Sequence, residues 1–290
     1  MYNYVVFIMT HGRAGNVHTE KALRECGYTG KIIMVVDTDD EQGQKYVDLY
    51  GKERVIFFDK KEHENKMDTG DASGSMKCVV FARNACFDIA KQLGYEYFIE
   101  ADDDYVAFSY RFEDDKLREK RCHNLDKVFD AMFQFLEDSN AIAVAPAQCG
   151  DYIGGKGGGI WKNKLSRKCM NLFFCKTSKH INFIGRINED VTSYTYYTQQ
   201  GVLFFTVADW CLHQKATQAQ AGGMTDTYLG GGTYLKSFYS VMWSPSCVKI
   251  GAMGDKHKRI HHSITWDKCA PKIISEKYKK GEVSGQTEQV

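Results

Sequence analysis

None of the ten cysteines stands in a CxxC pair, which excludes a zinc ribbon and a thioredoxin-like redox motif and leaves reduced thiols in a cytoplasm as the expectation. Long apolar runs are missing too. The opening MYNYVVFIMTHGRAG has only a short apolar stretch, with no basic region before it and no signal-type cleavage site after it. It reads as a first buried strand, and no membrane partner is expected. Nor is there an excess of charge of one sign: 38 Lys and Arg against 37 Asp and Glu leave a formal net charge of +1. Any case for a nucleic acid, an acidic substrate or a membrane surface must therefore be local. With three prolines in 290 residues there is no Pro/Ser-rich linker, and no repeat or low-complexity tract is visible. The GxGxxG and GK[ST] spacings are absent, which removes the usual signals of dinucleotide binding and ATP hydrolysis.

What is present is enough apolar side chain for a substantial core, 43% hydrophobic with 13% aromatic. The first hundred residues alternate strand-like runs (Tyr4 to Met9, Lys31 to Val36, Arg54 to Phe58) with amphipathic stretches around Asn16 to Cys26 and Glu41 to Tyr50. That βαβαβ order implies a parallel sheet. After a polar loop, a helix of about five turns is predicted through Met76 to Leu93, then a strand over Tyr97 to Ala101. Another helix, Asn124 to Glu137, leads to the strand AIAVAPA, beyond which glycine-rich loops and aromatic strands take over. The expectation is an α/β fold in one elaborated domain over 1–278, with a ligand-binding first half (1–110), a second half (111–278) and a polar tail (279–290).

FIEADDDY puts Glu100 and three aspartates at the carboxyl end of a strand, where open α/β sheets bind ligands. Period-two alternation would send Asp102 and Asp104 to one side and Asp103 to the other. Two carboxylates converging on one cation suit Mn²⁺ or Mg²⁺. The alternative is an acidic turn, which like charges so close would oppose without a counter-ion.

A strand of the form hhhhDxD after a helix bearing an Arg-Asn pair, here FARNACFDIAKQLGYEYFIEADDDY, resembles the GT-A glycosyltransferases. Within them the chain is most similar to the TET-associated glycosyltransferases of phages, relatives of the base J glucosyltransferase that modify hydroxymethyl pyrimidines in DNA. THGRAGNV, ARN, ADDDY, GRINEDV, GGTYLKSF and RIHHSITW carry the likeness. It implies a GT-A-like mixed, mostly parallel sheet with flanking helices. It also implies a metal-dependent transferase moving a sugar, expected to be glucose, from a UDP-sugar to the hydroxyl of a 5-hydroxymethyl pyrimidine in DNA. Its location would be cytoplasmic, the host cytoplasm if phage-encoded. Alternatives are a GT-A transferase with a saccharide, lipid or protein acceptor, and a DNA-binding module without turnover.

The donor residues expected are Thr10, His11, Gly12, Arg13 and Asn16 in the loop after the first strand, with Asp37, Arg83 and Asp103. Asp37 could equally be a strand-end cap. Arg83 pairs with the diphosphate or with an aspartate, and a purely structural ion pair would look the same in sequence. Lys77 is a weaker candidate. GRINEDV places Asn188 at a helix N-cap and Glu189 and Asp190 in the first turn, where acidic residues are favoured in any case and where a carboxylate stays ionised. The resemblance makes Asp190 the catalytic base, with Glu189 second. The resemblance also implies that a late histidine joins Asp102 and Asp104 in the metal set; in RIHHSITW a strand would send His261 and His262 to opposite faces, so only one could be that ligand, and His262 is preferred with His261 as alternate.

From Tyr152 through Asn188 there are eight basic residues and no acidic one, and from Lys249 to Lys280 nine basic against three acidic. The basic, glycine-rich GGKGGGIWKNK suits a DNA backbone and an exposed base, which makes Gly154, Gly155, Trp161, Lys162 and Lys164 the expected acceptor contacts. Otherwise the segment is a solvated face.

Overall fold

The computed structural model describes residues 2–64, 66–71, 74–148, 155–157, 169–215, 235–253, 259–269, 273–276 and 279. Nine strands form one sheet: β1 (Tyr4–Thr10), β2 (Ile32–Asp37), β3 (Val55–Phe58), β4 (Tyr97–Asp102), β5 (Tyr105–Glu113), β6 (Lys116–Arg121), β7 (Ala143–Gln148), β8 (Phe173–Lys176) and β9 (Phe204–Gln214). Their spatial order is β3-β2-β1-β4-β8-β7-β9-β5-β6. The β3, β2, β1, β4 quarter is parallel throughout, while β8 and β5 run against their neighbours. The result is the mixed, mostly parallel sheet expected, and it runs through both predicted halves. The helices are α1 (His18–Glu25), α2 (Gly43–Tyr50), α3 (Lys61–Glu64), α4 (Val80–Gln92), α5 (Leu125–Ser139), α6 (Glu189–Gln199), α7 (235–243) and α8 (Trp266–Cys269). A separate antiparallel pair, β10 (Val248–Met253) and β11 (Arg259–Ile264), packs beside α7.

The sheet is buried on both faces, so its central strands read as continuous apolar runs rather than alternations. In β1, Val5, Phe7 and Met9 join a core built with α4 residues Phe81, Ala85, Phe87 and Ile89. Val6 and Ile8 point the other way, into a core with Leu23 of α1 and Phe129, Met132, Phe133 and Leu136 of α5. α1 ends on a hydrogen-bonded pair, Gly27 N–H to Arg24 O and Tyr28 N–H to Leu23 O, that requires Gly27 at φ +84°.

Two expectations are corrected. The helix predicted from Met76 starts at Val80: residues 74–77 are irregular, 78–79 form a bend, and Val79 at the N-cap offers no side-chain cap. The aspartate triplet is not continuous strand: β4 ends at Asp102, and Asp103 and Asp104 form the turn into β5. The period-two rule therefore stops one residue too early to place Asp103 and Asp104. Of the predicted tail only Lys279 is among the described residues.

Candidate active site

A cavity of about 410 Å³ opens at the carboxyl ends of β1, β2 and β4. Its wall brings together Thr10, His11, Arg13, Asp37, Arg83, Asp102, Asp103, Asp104, Glu189, Asp190, His261 and His262. Residues from the two ends of the chain, 10 and 262, thus meet at one site.

The loop after β1 is fastened from below. Asp103, 5% exposed, accepts Thr10 Oγ1 at 2.7 Å on one oxygen and Arg13 Nη1 at 2.8 Å on the other. The Tyr46 hydroxyl, pushed up to about 12 chiefly by burial, accepts the Arg13 N–H and bonds Thr10. Asp103 is therefore engaged in holding the loop. The Gly12 N–H donates to Asp40, and Gly12 sits at φ +67°. Asn16 is exposed and is not part of the cavity wall, against expectation: it lies past the turn closed by its own N–H to Arg13 O. Asp37 is buried, accepts the Asp39 N–H at 3.1 Å and pairs with Lys60, so it acts both as strand-end cap and as ion-pair partner.

Arg83 is the charge centre beneath the floor. It is 2% exposed and donates from Nε to Glu189 (2.9 Å) and from Nη2 to Asp102 (3.0 Å), with Glu100 3.5 Å from Nη1. Its guanidinium lies over the rings of Phe173 and Phe183. Burial works against its charge, but Asp102, Glu189 and Glu100 outweigh that and raise its pKa well above the usual value. One cation facing three carboxylates leaves the cluster acidic. Burial pushes Glu100 up to about 8 despite Arg83, and raises Glu189 and Asp102 as well. Of the two possibilities for Arg83, pairing with an aspartate is the one observed.

Asp104 has no such partner among the described residues. Its Oδ1 is buried without a hydrogen bond from any of them, and burial, then Asp102 and Asp103, push the group up to about 7. Also lining the cavity, Glu189 and Asp190 open α6 with Asn188 at its N-cap, as predicted, although the Asn188 side chain makes no cap hydrogen bond. Asn188 is left-handed (φ 63°) and donates instead to Ser240 Oγ at 2.6 Å. Glu189 is committed to Arg83, whereas Asp190 accepts only the neighbouring Val191 N–H among its hydrogen bonds from described residues. His261 and His262 do not diverge. Their rings lie 4.2 Å apart and both reach the cavity, His262 being 8% exposed. Asp102, Asp104 and His262 share the cavity but do not bring their ligand atoms within 4.8 Å of one another.

Sequence reasoning missed Lys60, Gln148, Asn171, Gln214 and Lys236, all in the wall, and ranked Lys77, also there, low. Lys60 carried a usable signal, since it follows the carboxyl end of β3 as Asp37 ends β2. Gly155 is described, at φ +65° against the Asp115 backbone, whereas Gly154, Trp161, Lys162 and Lys164 lie outside the described residues. No helix among the described residues is long and apolar enough to cross a membrane.

No curated protein matches the sequence. Among solved structures, a glucosyl-3-phosphoglycerate synthase from Mycobacterium tuberculosis with Mn²⁺, UDP and phosphoglyceric acid is 7% identical, covering 91% of this chain and 87% of its own, at a TM-score of 0.45. A mannosyltransferase from Pyrobaculum calidifontis with GDP-Man and Mn²⁺ is 12% identical, covering 75% and 58%, at 0.42. These are distant likenesses and say nothing about this site. The profile of the TET-associated glycosyltransferases matches residues 4–223, a span that holds β1 through β9, the aspartate turn, Arg83 and the Glu189-Asp190 pair. The chain belongs to the TET-associated glycosyltransferase family.

Proposed function

We propose that this chain transfers glucose from UDP-glucose to the hydroxyl of 5-hydroxymethyl pyrimidines in DNA. The observation that carries the transferase chemistry is one cavity lined both by the aspartate turn, with Asp102 and Asp104, and by the start of α6, with Glu189 and Asp190. In this reading Asp190 takes the proton of the acceptor hydroxyl, whose oxygen bonds to the anomeric carbon as the bond to the diphosphate breaks. A helix N-terminus favours the ionised carboxylate that a base must be. Glu189, held by Arg83, is a positioning residue rather than the base.

The residues fit a hard divalent cation, Mn²⁺ or Mg²⁺. The donors are carboxylate oxygens, and the buried Asp104 Oδ1 has no hydrogen-bond partner among the described residues. Asp102 and Asp104 would hold the ion, with His262 as the third ligand. Bound there, it supplies positive charge for the departing diphosphate. Thr10, His11 and Arg13 line the part of the cavity assigned to the nucleotide, beside Asp37 and Lys60. The DNA acceptor is supported by the family and by the basic Gly-rich segment of the sequence. A 5-hydroxymethyl group projects into the major groove, where it is reachable without full base flipping.

The test is incubation with Mn²⁺, a panel of sugar nucleotides and hydroxymethylated DNA, followed by digestion to nucleosides and mass spectrometry. A hexosylated hydroxymethyl nucleoside is expected, and the Asp190→Asn variant should bind donor normally while turnover drops by orders of magnitude. Sugar transfer only to saccharide, lipid or protein acceptors would replace the DNA assignment.

A further inference from the structure

On the far side of β9 from the catalytic wall, the structure gathers a second set of metal-ligand side chains. Cys211 and His213, two apart on β9, project from one face of the sheet. Glu119 reaches the same spot from β6, two strands away. The strand between is β5, and its residue opposite Cys211 is Ser109, small enough to leave that face open. Arg111, also on β5, is drawn aside by its bond to Gln148 O at 2.8 Å. One ligand atom from each of the three, sulfur, imidazole nitrogen and carboxylate oxygen, lies within 4.8 Å of the other two.

The separations identify what the cluster suits. Nε2 of His213 is 3.6 Å from Sγ of Cys211 and 3.5 Å from Glu119 Oε2, and Sγ is 3.9 Å from Glu119 Oε1. An imidazole-carboxylate pair at 3.5 Å is beyond the length of a good hydrogen bond. The two separations from Nε2, 3.6 Å to Sγ and 3.5 Å to Oε2, match the edges of a tetrahedron around zinc, for which bonds of about 2.3 Å to sulfur and about 2.0 to 2.2 Å to nitrogen and oxygen give edges of about 3.3 to 3.6 Å; Sγ and Nε2 face different Glu119 oxygens, one of which would serve as the ligand. The donor set of one thiolate, one imidazole and one carboxylate is a zinc set, unlike the all-oxygen turn at Asp102 to Asp104. Ser109 Oγ, 3.0 Å from Nε2, would hand that nitrogen to the metal and turn to the carboxylate or to water. Arg111 Nη2, 3.8 Å from Glu119 Oε1, offsets the two anionic ligands.

We propose that Cys211, His213 and Glu119 form a structural zinc site that clips the β6 edge to β9, separate from the catalytic centre. Its position gives it an effect on the cavity wall, since Gln214 follows His213 directly and Gln148 is held by Arg111.

The full-length chain, stripped with chelator, would be titrated with Co²⁺, a spectroscopic substitute for zinc. A thiolate-to-cobalt charge-transfer band saturating at roughly one equivalent is expected. It should persist in an Asp102→Asn/Asp104→Asn double variant, vanish in Cys211→Ser, and need a higher cobalt concentration in Glu119→Gln and His213→Gln. Zinc should raise the unfolding temperature of the stripped wild type and leave that of His213→Gln unchanged. Absence of the band, or an undiminished band in both Cys211→Ser and His213→Gln, would overturn the site. Should Cys211→Ser fail to fold, the His213→Gln and Glu119→Gln titrations decide the same question.

Discussion

Arg83 has a single guanidinium to satisfy Asp102 and Glu189 while Glu100 lies 3.5 Å from it; Arg83, Glu100 and Glu189 are buried, and Asp102 is partly open to the cavity. Arg83→Ala would leave buried carboxylates without their cation, and a loss of about 3 to 5 kcal/mol of folding stability is expected, read by chemical denaturation. Arg83→Lys should recover only part of it, because an ammonium cannot reproduce the fork that meets β4 and α6 together. Asp104 poses the complementary problem of a carboxylate pushed up to about 7 by burial and by Asp102 and Asp103. A raised carboxylate pKa means that protons compete with a cation below that value. Mn²⁺-dependent UDP binding should therefore strengthen as pH rises through about 7 and level off above it. Calorimetry across this range checks the prediction, and Asp104→Asn should abolish the pH dependence and strongly weaken Mn²⁺-dependent UDP binding.

At the scale of elements, the aspartate turn is positioned by α1. The His18 and Thr19 N–H groups donate to Asp103 O, and Thr19 Oγ1 donates to Asp102 O. α1 is in turn stopped by Gly27, whose added Cβ would run into the His123 backbone carbonyl in a conformation that L side chains rarely adopt. Gly27→Ala is expected to cost at least about 1 to 3 kcal/mol, seen as a lower unfolding temperature. Its effect on donor binding should exceed that of a surface change of equal size, because α1 carries the turn. α6 does for Glu189 and Asp190 what α1 does for the triplet. The left-handed Asn188, tied to Ser240, swings the helix start toward the cavity.

Across the whole molecule, near-neutral net charge coexists with a basic stretch over 152–188 and another after 249. If those segments meet DNA phosphates, each lysine removed should lower the slope of log affinity against log salt by roughly one unit. A Lys162→Ala/Lys164→Ala variant should thus bind hydroxymethylated DNA more weakly and with a shallower salt slope, while hydrolysing UDP-sugar without acceptor at the wild-type rate. Trp161→Ala should lose about 1 to 3 kcal/mol with little change in slope, if the indole stacks on a base. Filter binding over a salt series separates the two behaviours, and the absence of any salt-dependent DNA binding would point to another acceptor.

The sequence by itself determined the elements whose side-chain period is local. β1 to β4 with their helices follow from apolar runs broken by polar turns, and ADDDY and NED led to two acidic groups that line one cavity. It also located Asp37 and Arg83 while leaving their roles open. Only the tertiary structure shows which side chains they meet, because a partner distant in sequence is invisible to local periodicity. Lys60 takes Asp37, Glu189 takes Arg83 from 106 residues away, and Thr10 and Arg13 take Asp103. The histidine pair shows the same limit, since strand alternation predicts divergence while the packing of β11 beside the cavity turns both rings inward. Likewise Cys211, His213 and Glu119 come from strands that chain order leaves far apart, and only the β9-β5-β6 order brings them onto one face.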